Sequence, residues 1–138
     1  MKRIHRNKTR RSDRRGAAVA ELAVCLPLIV LLVIGTVEAC TMIFLKQSLT
    51  IAAYEGGRTA LVPGATNGDV TAECQQVVND RGVQGGTIAV TPADITAAAP
   101  GTYLQIDVSA QCDTNSMLGN WFYAGKTLNG HVEVMKEY

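Results

Sequence analysis

Glu21 is the side chain whose type and position most clearly call for a chemical partner. It stands at the edge of an apolar segment, because the sixteen residues between Glu21 and Glu38 carry no charge. A carboxylate at the centre of a bilayer costs about 2.5–3.5 kcal/mol on insertion scales, and less near an interface. An opposite charge within reach offsets this cost, so Glu21 is a candidate for pairing with an ammonium group. The alternative is a carboxylate that simply reaches interfacial water.

Cys74 and Cys112 form a second candidate pair, whose chemistry would be disulfide formation. They lie outside the apolar region, whereas Cys25 and Cys40 lie within it. In an oxidising compartment, a bridge between them would close a loop of about 37 residues. Such a bridge contributes roughly 3–4 kcal/mol to stability by restricting the unfolded chain. Two buried free thiols are the alternative, because the geometry of a bridge cannot be deduced from sequence.

The sequence contains no recognisable catalytic or metal-binding motif. His5 and His131 stand alone, and the four cysteines show no CxxC spacing. There is no P-loop and no GxGxxG, and the glycine-rich residues 82–86 are typical of a turn. We therefore expect a protein that is not an enzyme and that binds neither a metal nor another cofactor.

The charge of the chain is unevenly distributed. Residues 1–16 hold eight Lys and Arg and one Asp, a net charge of +7, whereas residues 17–138 hold five Lys and Arg and eleven Asp and Glu, a net charge of −6. Such asymmetry indicates a basic tail at a membrane or nucleic-acid surface. The adjacent apolar segment and the lack of interleaved aromatic residues favour the membrane, and we expect no nucleic-acid partner.

The apolar segment has the composition of a membrane-spanning helix. Residues 17–45 contain only two charged residues, and about 20 apolar residues suffice to cross a bilayer. The preceding basic residues predict a cytoplasmic N-terminus and an extracytoplasmic C-terminal part. A core helix of a soluble protein is disfavoured because the remaining residues include few large apolar side chains. A secretory signal is disfavoured because its core has about 7–15 residues and an A-x-A site should follow.

The stretch RRGAAVAELAVCLPLIVLL, from Arg14 to Leu32, resembles the class III signal of type IV pilin-like proteins. Together with Pro27, Glu38 and the run IAAYEGGRTA at 51–60, it resembles the TadE-like family of minor pseudopilins from the tight-adherence (Flp pilus) system. The similarity covers about residues 14–62. Leu22 and Tyr54 depart from the usual Phe and Arg of such proteins.

This resemblance implies a processing site and a role for Glu21. A membrane prepilin peptidase would cut between Gly16 and Ala17, and Glu21 would become the fifth mature residue. The new ammonium group at Ala17 would then pair with the Glu21 carboxylate of a neighbouring subunit and set its register. Pairing within one chain, four residues apart on the same helix face, stays open as an alternative.

A single helix is predicted over residues 17–55, ended by Gly56-Gly57. It would be longer than a bilayer, so its second half would project outside. Pro27 removes one backbone hydrogen bond, which membrane helices tolerate. Glu38 would lie near the outer interface and meet headgroups and water, with pairing to a neighbouring subunit as the alternative.

The outer part is predicted to be one helix over a small antiparallel sheet. A helix is expected over residues 69–82, capped by Asp69 or Thr71, and alternation predicts strands at 86–92, 102–112 and 129–138. The inner face of the middle strand would hold Leu104, Ile106, Val108 and Ala110. The aromatic residues 121–123 would fill the core or form a contact patch, with the core favoured.

The sequence therefore predicts an α+β protein: a long N-terminal transmembrane helix followed by a small extracytoplasmic domain with one helix on a short antiparallel sheet. Its expected parts are a basic cytoplasmic leader (1–16), a transmembrane and projecting helix (17–57) and the outer domain (58–138). The expected function is that of a TadE-like pseudopilin in the inner membrane. Its partners would be the prepilin peptidase, other pilins, pilus-assembly membrane proteins and lipid. The alternative is an uncleaved, membrane-anchored binding protein.

Overall fold

The structure, a computed structural model, describes residues 10–119 and 121–137, with side chains described from Gly16 onward. Most of the predicted basic leader, residues 1–9, therefore lies outside the described residues. The elements in chain order are α1 (Arg10–Ala60), α2 (Asn67–Asp80), β1 (Thr87–Thr91), β2 (Tyr103–Gln111), α3 (Cys112–Asn115) and β3 (Thr127–Met135). The predicted α+β class is confirmed: a long apolar helix precedes a helix and a three-stranded antiparallel sheet.

The chain divides into two compact units, Met1–Thr36 and Val37–Tyr138. This division differs from the expected boundary at residue 57. The reason is that the C-terminal part of α1 is not a free projection. It supplies one side of the hydrophobic core of the second unit.

The sheet is a simple meander with the order β1-β2-β3. In its register, Val108 of β2 pairs with Ile88 of β1 and Gly130 of β3. The predicted inner face of β2 is confirmed, since its alternate residues Leu104, Ile106, Val108 and Ala110 are all buried. A one-residue slip would expose this whole row, so the alternation specifies the register.

The second half of α1 packs on the sheet and α2 through a stripe of apolar side chains. Met42, Leu45, Leu49 and Ala52 are buried and recur at intervals of four, three, four and three residues from Glu38. Such spacing places side chains on one face of a helix. Helix α2 contributes the buried side chains of Val70, Cys74 and Val78 to this core.

The expected stop at Gly56-Gly57 is wrong, because α1 continues to Ala60. A Cβ at Gly56 would overlap the Cys74 Sγ of α2, and one at Gly57 would lie 2.9 Å from Val132 Cγ1 of β3. Glycine in a helix interior costs about 1 kcal/mol relative to alanine. Here the close approach of α2 and β3 offsets that cost.

Helix α2 begins slightly earlier than predicted and is capped by a different residue. Thr66 is the N-cap: its hydroxyl accepts from the Asp69 N–H at 3.3 Å, and the Asp69 carboxylate accepts from the Thr66 N–H at 2.9 Å. This reciprocal arrangement is a capping box, which satisfies two N–H groups at once. The hydrogen bonds from Thr66 hold the pKa of Asp69 below its usual value.

Candidate processing and membrane-assembly site

The three residues predicted for processing and register lie on one stretch of α1. Gly16, Ala17 and Glu21 are all exposed, and a Cβ at Gly16 would meet no atom within 4 Å. Ala17 and Glu21 are four residues apart, so they share a helix face about 6 Å apart along its axis. Among the side chains that the structure describes, none pairs with Glu21.

The helix that follows Glu21 presents apolar side chains on every side. The large apolar residues from Val19 to Val33 are 47–78% exposed, and an 18-residue window of α1 has a mean hydropathy of 2.7. By length and composition this helix can cross a membrane. The helix continues through Pro27 without a break. The Thr36 hydroxyl donates to the Leu32 carbonyl at 2.7 Å, so this hydroxyl needs no partner outside the helix.

Glu38 makes the contact that the sequence reasoning missed. Its side chain is 2% exposed, and its Oε1 accepts from the backbone N–H groups of Phe122 at 3.0 Å and Tyr123 at 3.2 Å. The prediction that Glu38 meets headgroups and water is wrong. The alternative partner on a neighbouring subunit is not needed either, because this oxygen is already used within its own chain.

The spacing along α1 contains the signal for this contact. Glu38 lies four residues before Met42 and seven before Leu45, on the same stripe that enters the core. A carboxylate on such a stripe points inward, and a buried carboxylate requires hydrogen-bond donors. The donors come from a loop 84 residues away in the chain, which the spacing of α1 alone does not identify.

The segment that meets Glu38 lies between α3 and β3, and its described residues, 116–119 and 121–126, are here called the aromatic connection. Tyr123 packs against the core, whereas Trp121 and Phe122 are 65% and 53% exposed. The prediction that the aromatic cluster fills the core is thus confirmed for Tyr123 and wrong for Trp121 and Phe122. The Lys126 ammonium lies 5.2 Å from the centre of the Tyr123 ring. A cation at this distance is attracted to the ring face.

The predicted disulfide between Cys74 and Cys112 is not formed, and both residues are buried free thiols. The thiol of Cys74 donates to the Ala52 carbonyl at 3.3 Å and lies beside Gly56 and Ile106. Cys112 stands six residues beyond Ile106, which corresponds to about 20 Å along an extended strand. A disulfide requires Cα atoms within about 7 Å of each other.

Burial makes both thiols poor nucleophiles. It raises the pKa of the Cys74 thiol to about 11, with a further contribution from the nearby Glu73 carboxylate. Burial, followed by the charge of Asp113, also raises the pKa of Cys112. The reactive thiolate of Cys74 is therefore scarce at neutral pH.

We expect these thiols to be protected in the folded protein and free after unfolding. In a Cys25→Ser/Cys40→Ser variant treated with iodoacetamide at about pH 8 without reductant, the native protein should gain no adduct, because the thiols are buried and protonated. The unfolded protein should gain two, measured by intact mass. Adducts that appear only after reduction would show that the bridge exists.

The outer face of the sheet carries polar side chains. The Asp107 carboxylate lies 2.8 Å from His131 Nδ1, its direct cross-strand partner, and also accepts from Gln105 Nε2 at 2.8 Å. These hydrogen bonds, first that of Gln105 and then that of His131, lower the pKa of Asp107. Within residues 10–119 and 121–137, no three His, Cys, Asp or Glu side chains lie close enough together to hold a metal ion.

Comparison with known proteins identifies a segment that includes the candidate site residues. A family model described as TadE-like protein matches residues 16–58, from the glycine of the predicted cut to the last turn of α1. No curated protein and no solved structure matches the chain. The match includes Glu21 and Glu38, and it leaves α2 and the sheet outside. Over residues 16–58 the chain is therefore similar to TadE-like proteins, and the resemblance that the sequence motifs indicated is confirmed for that segment.

Proposed function

We propose that the protein is a pseudopilin, a membrane-anchored structural or assembly component of a tight-adherence (Flp-type) pilus or a related secretion apparatus. The TadE-like family implies a membrane protein associated with this pilus system. The proposal rests on two features that follow each other directly along α1. The Glu21 carboxylate, which pairs with none of the described side chains, stands directly before a helix whose large apolar side chains from Val19 to Val33 are exposed.

Processing would convert Glu21 into one half of an ion pair. The net charge of +7 in residues 1–16 favours a cytoplasmic N-terminus, so the Gly16–Ala17 peptide bond lies on the cytoplasmic side. Hydrolysis of this bond by a prepilin peptidase leaves a carboxylate on Gly16 and an ammonium group on Ala17. The ammonium then meets the Glu21 carboxylate of a neighbouring subunit. In a low-dielectric setting such pairing offsets the cost of burying each charge.

The exposed part of α1 would supply the packing surface of the assembly. Its apolar residues from Val19 to Val33 need lipid before assembly and other helices afterwards. Association of helices in lipid depends on packing and on polar contacts rather than on the hydrophobic effect. An ion pair at Glu21 would give such packing a defined register, and the unit from Val37 onward would be displayed outside the cytoplasm.

The mature N-terminus tests this proposal. We expect protein purified from cells with an active prepilin peptidase to begin at Ala17, as measured by intact mass and N-terminal peptide mapping. The same chain expressed without the peptidase serves as the control and should retain Met1. An intact Met1 in the presence of active peptidase would contradict the proposal and favour an uncleaved, membrane-anchored binding protein.

A substitution at Glu21 separates processing from assembly in the same experiment. Glu21→Gln should still be cut, because the peptide bond at Gly16 is unchanged, but it should lose co-purification with other pilins because the ammonium at Ala17 has no counter-charge. Glu133→Gln, an exposed residue of β3, is the matched control and should assemble normally. Normal assembly of Glu21→Gln would show that the carboxylate does not set the register.

A further inference from the structure

The aromatic connection exposes a group of large apolar side chains although its backbone is firmly held. Met117, Leu118, Trp121 and Phe122 are all exposed. An exposed cluster rimmed by polar residues marks a surface that contacts another apolar phase. This cluster lies outside the family match, which ends at residue 58.

The connection is anchored at Phe122 and at the residues that follow it, up to Lys126. Glu38 Oε1 accepts from the N–H groups of Phe122 and Tyr123, and the Asp113 carboxylate accepts from the Gly125 N–H at 3.1 and 3.2 Å. At its end, the Lys126 carbonyl accepts from the Cys112 N–H at 2.9 Å. Such anchoring holds the backbone in place while Trp121 and Phe122 point away from the core.

The position of Glu38 in the chain fixes the level at which these side chains lie. Glu38 is the first charged residue after the uncharged residues 22–37, so it marks the end of the segment that can enter hydrocarbon. Two backbone groups of the aromatic connection lie within 3.2 Å of its carboxylate oxygen. Trp121 and Phe122 therefore lie at the level of the membrane–water interface when α1 spans the bilayer.

The composition of the connection suits this interface. Trp and Tyr are enriched where a membrane meets water, because each combines an apolar ring with a polar group. Lys126, beside the Tyr123 ring, adds a positive charge that anionic headgroups attract. The polar Glu38 carboxylate is meanwhile shielded by the connection itself, with its side chain almost completely buried.

We infer that the aromatic connection is a second membrane contact, which inserts Trp121 and its apolar neighbours into the outer interface of the bilayer. The inference rests on the proposed function, because it requires α1 to span that bilayer. Lipid, rather than a partner protein, is the occupant because the connection is tied to the residue at which the apolar segment ends.

Trp121 is the only tryptophan of the chain, so its fluorescence reports on this contact directly. The full chain would be reconstituted in vesicles of phosphatidylcholine and phosphatidylglycerol that contain lipids brominated near the headgroup or near the chain end. We expect a blue-shifted emission, weak quenching by aqueous iodide, and quenching at least about twofold stronger by the shallow bromines than by the deep ones.

A Trp121→Phe/Tyr103→Trp variant is the matched control. It moves the indole to position 103, the exposed first residue of β2, whereas the aromatic connection lies beyond the last residue of that strand. Iodide rather than bromine should quench the fluorescence of this variant. Emission of Trp121 that iodide quenches as readily as that of the control would overturn the inference. Shielding of Trp121 from both quenchers would also overturn it, since this outcome indicates a protein contact.

The accessibility of Cys25 separates this failure from failure of the proposed function. In a Cys40→Ser variant, a water-soluble maleimide should not label Cys25 in vesicles if the apolar segment spans the bilayer. Protected Cys25 with iodide-accessible Trp121 would contradict only the second membrane contact. Labelled Cys25 would contradict the membrane-spanning helix itself, and the inference with it.

Discussion

Gly130→Ala should be among the most destabilising single substitutions in the second unit, Val37–Tyr138, although it adds only one methyl group. A Cβ at Gly130 would overlap the backbone carbonyl of Leu49 and the backbone nitrogen of Thr50, where β3 crosses α1. Overpacking of a core costs about 1–3 kcal/mol and occasionally more. Because backbone atoms of a buried helix cannot rotate aside, we expect a loss of at least about 2 kcal/mol in the free energy of unfolding.

Two other glycines provide graded controls for this measurement. In Gly57→Ala the new Cβ meets the Val132 side chain, which can shift, and the gain in helix propensity offsets part of the strain. In Gly68→Ala the new Cβ makes an ordinary contact, 3.4 Å from the Thr66 hydroxyl, so stability should be unchanged or raised by up to about 1 kcal/mol.

Thermal unfolding followed by circular dichroism in detergent micelles would rank the three variants. For a unit of this size, a loss of about 2 kcal/mol lowers the midpoint by roughly 8–16 °C. The expected order of stability is Gly68→Ala, then Gly57→Ala, then Gly130→Ala. Equal midpoints for Gly130→Ala and Gly68→Ala would contradict the close packing of β3 on α1.

The sheet and the apolar segment were predictable because each depends on a periodic pattern. Alternation along β2 identified its buried face, and the uncharged residues 22–37 identified the candidate membrane span. Both patterns reflect one requirement, the removal of apolar side chains from water. The family match independently confirms the TadE-like resemblance over residues 16–58.

The glycines show where local reasoning failed. Gly56-Gly57 carries the composition of a helix end, yet α1 passes through it to Ala60. Tertiary contacts with Cys74 and Val132 favour small residues at these two positions and override the local preference. A single sequence does not reveal which distant side chains will approach, so the same two letters are consistent with a stop and with a packing site.

The disulfide prediction was wrong for the same reason, because the sequence does not reveal which core residues lie side by side. Cys74 and Cys112 were paired because they lie in one compartment, but the register of α2 against β2 puts Cys74 beside Ile106 instead. Residues that share a core can still be too far apart to bond. The stability expected from a bridge comes here from packing: both thiols are fully buried among apolar neighbours.

Glu38 lies at the start of the second unit, and its partners explain why an acid stands on an otherwise apolar stripe. An apolar residue at this position would leave the N–H groups of Phe122 and Tyr123 without an acceptor. Partly buried donors without partners are costly. The carboxylate is thus part of the architecture that holds the aromatic connection, whereas Glu21 contacts none of the side chains that the structure describes.

Glu38→Ala should therefore cost about 2–4 kcal/mol in the free energy of unfolding, since two hydrogen bonds to a charged acceptor are lost. Glu38→Gln should lose less, because its amide oxygen can still accept. The matched control is Glu55→Ala, which removes an exposed pair with Arg58 at 3.0 Å and should cost less than about 1 kcal/mol.

Hydrogen exchange would locate the effect of Glu38→Ala within the unit. The amides of Phe122 and Tyr123 should exchange faster, whereas those of β2 should keep their order of protection, because only the aromatic connection loses its anchor. Unchanged protection at Phe122 and Tyr123, with stability equal to that of Glu55→Ala, would show that Glu38 does not hold the connection. Without that anchor, Trp121 would also not be held at the level of the membrane interface.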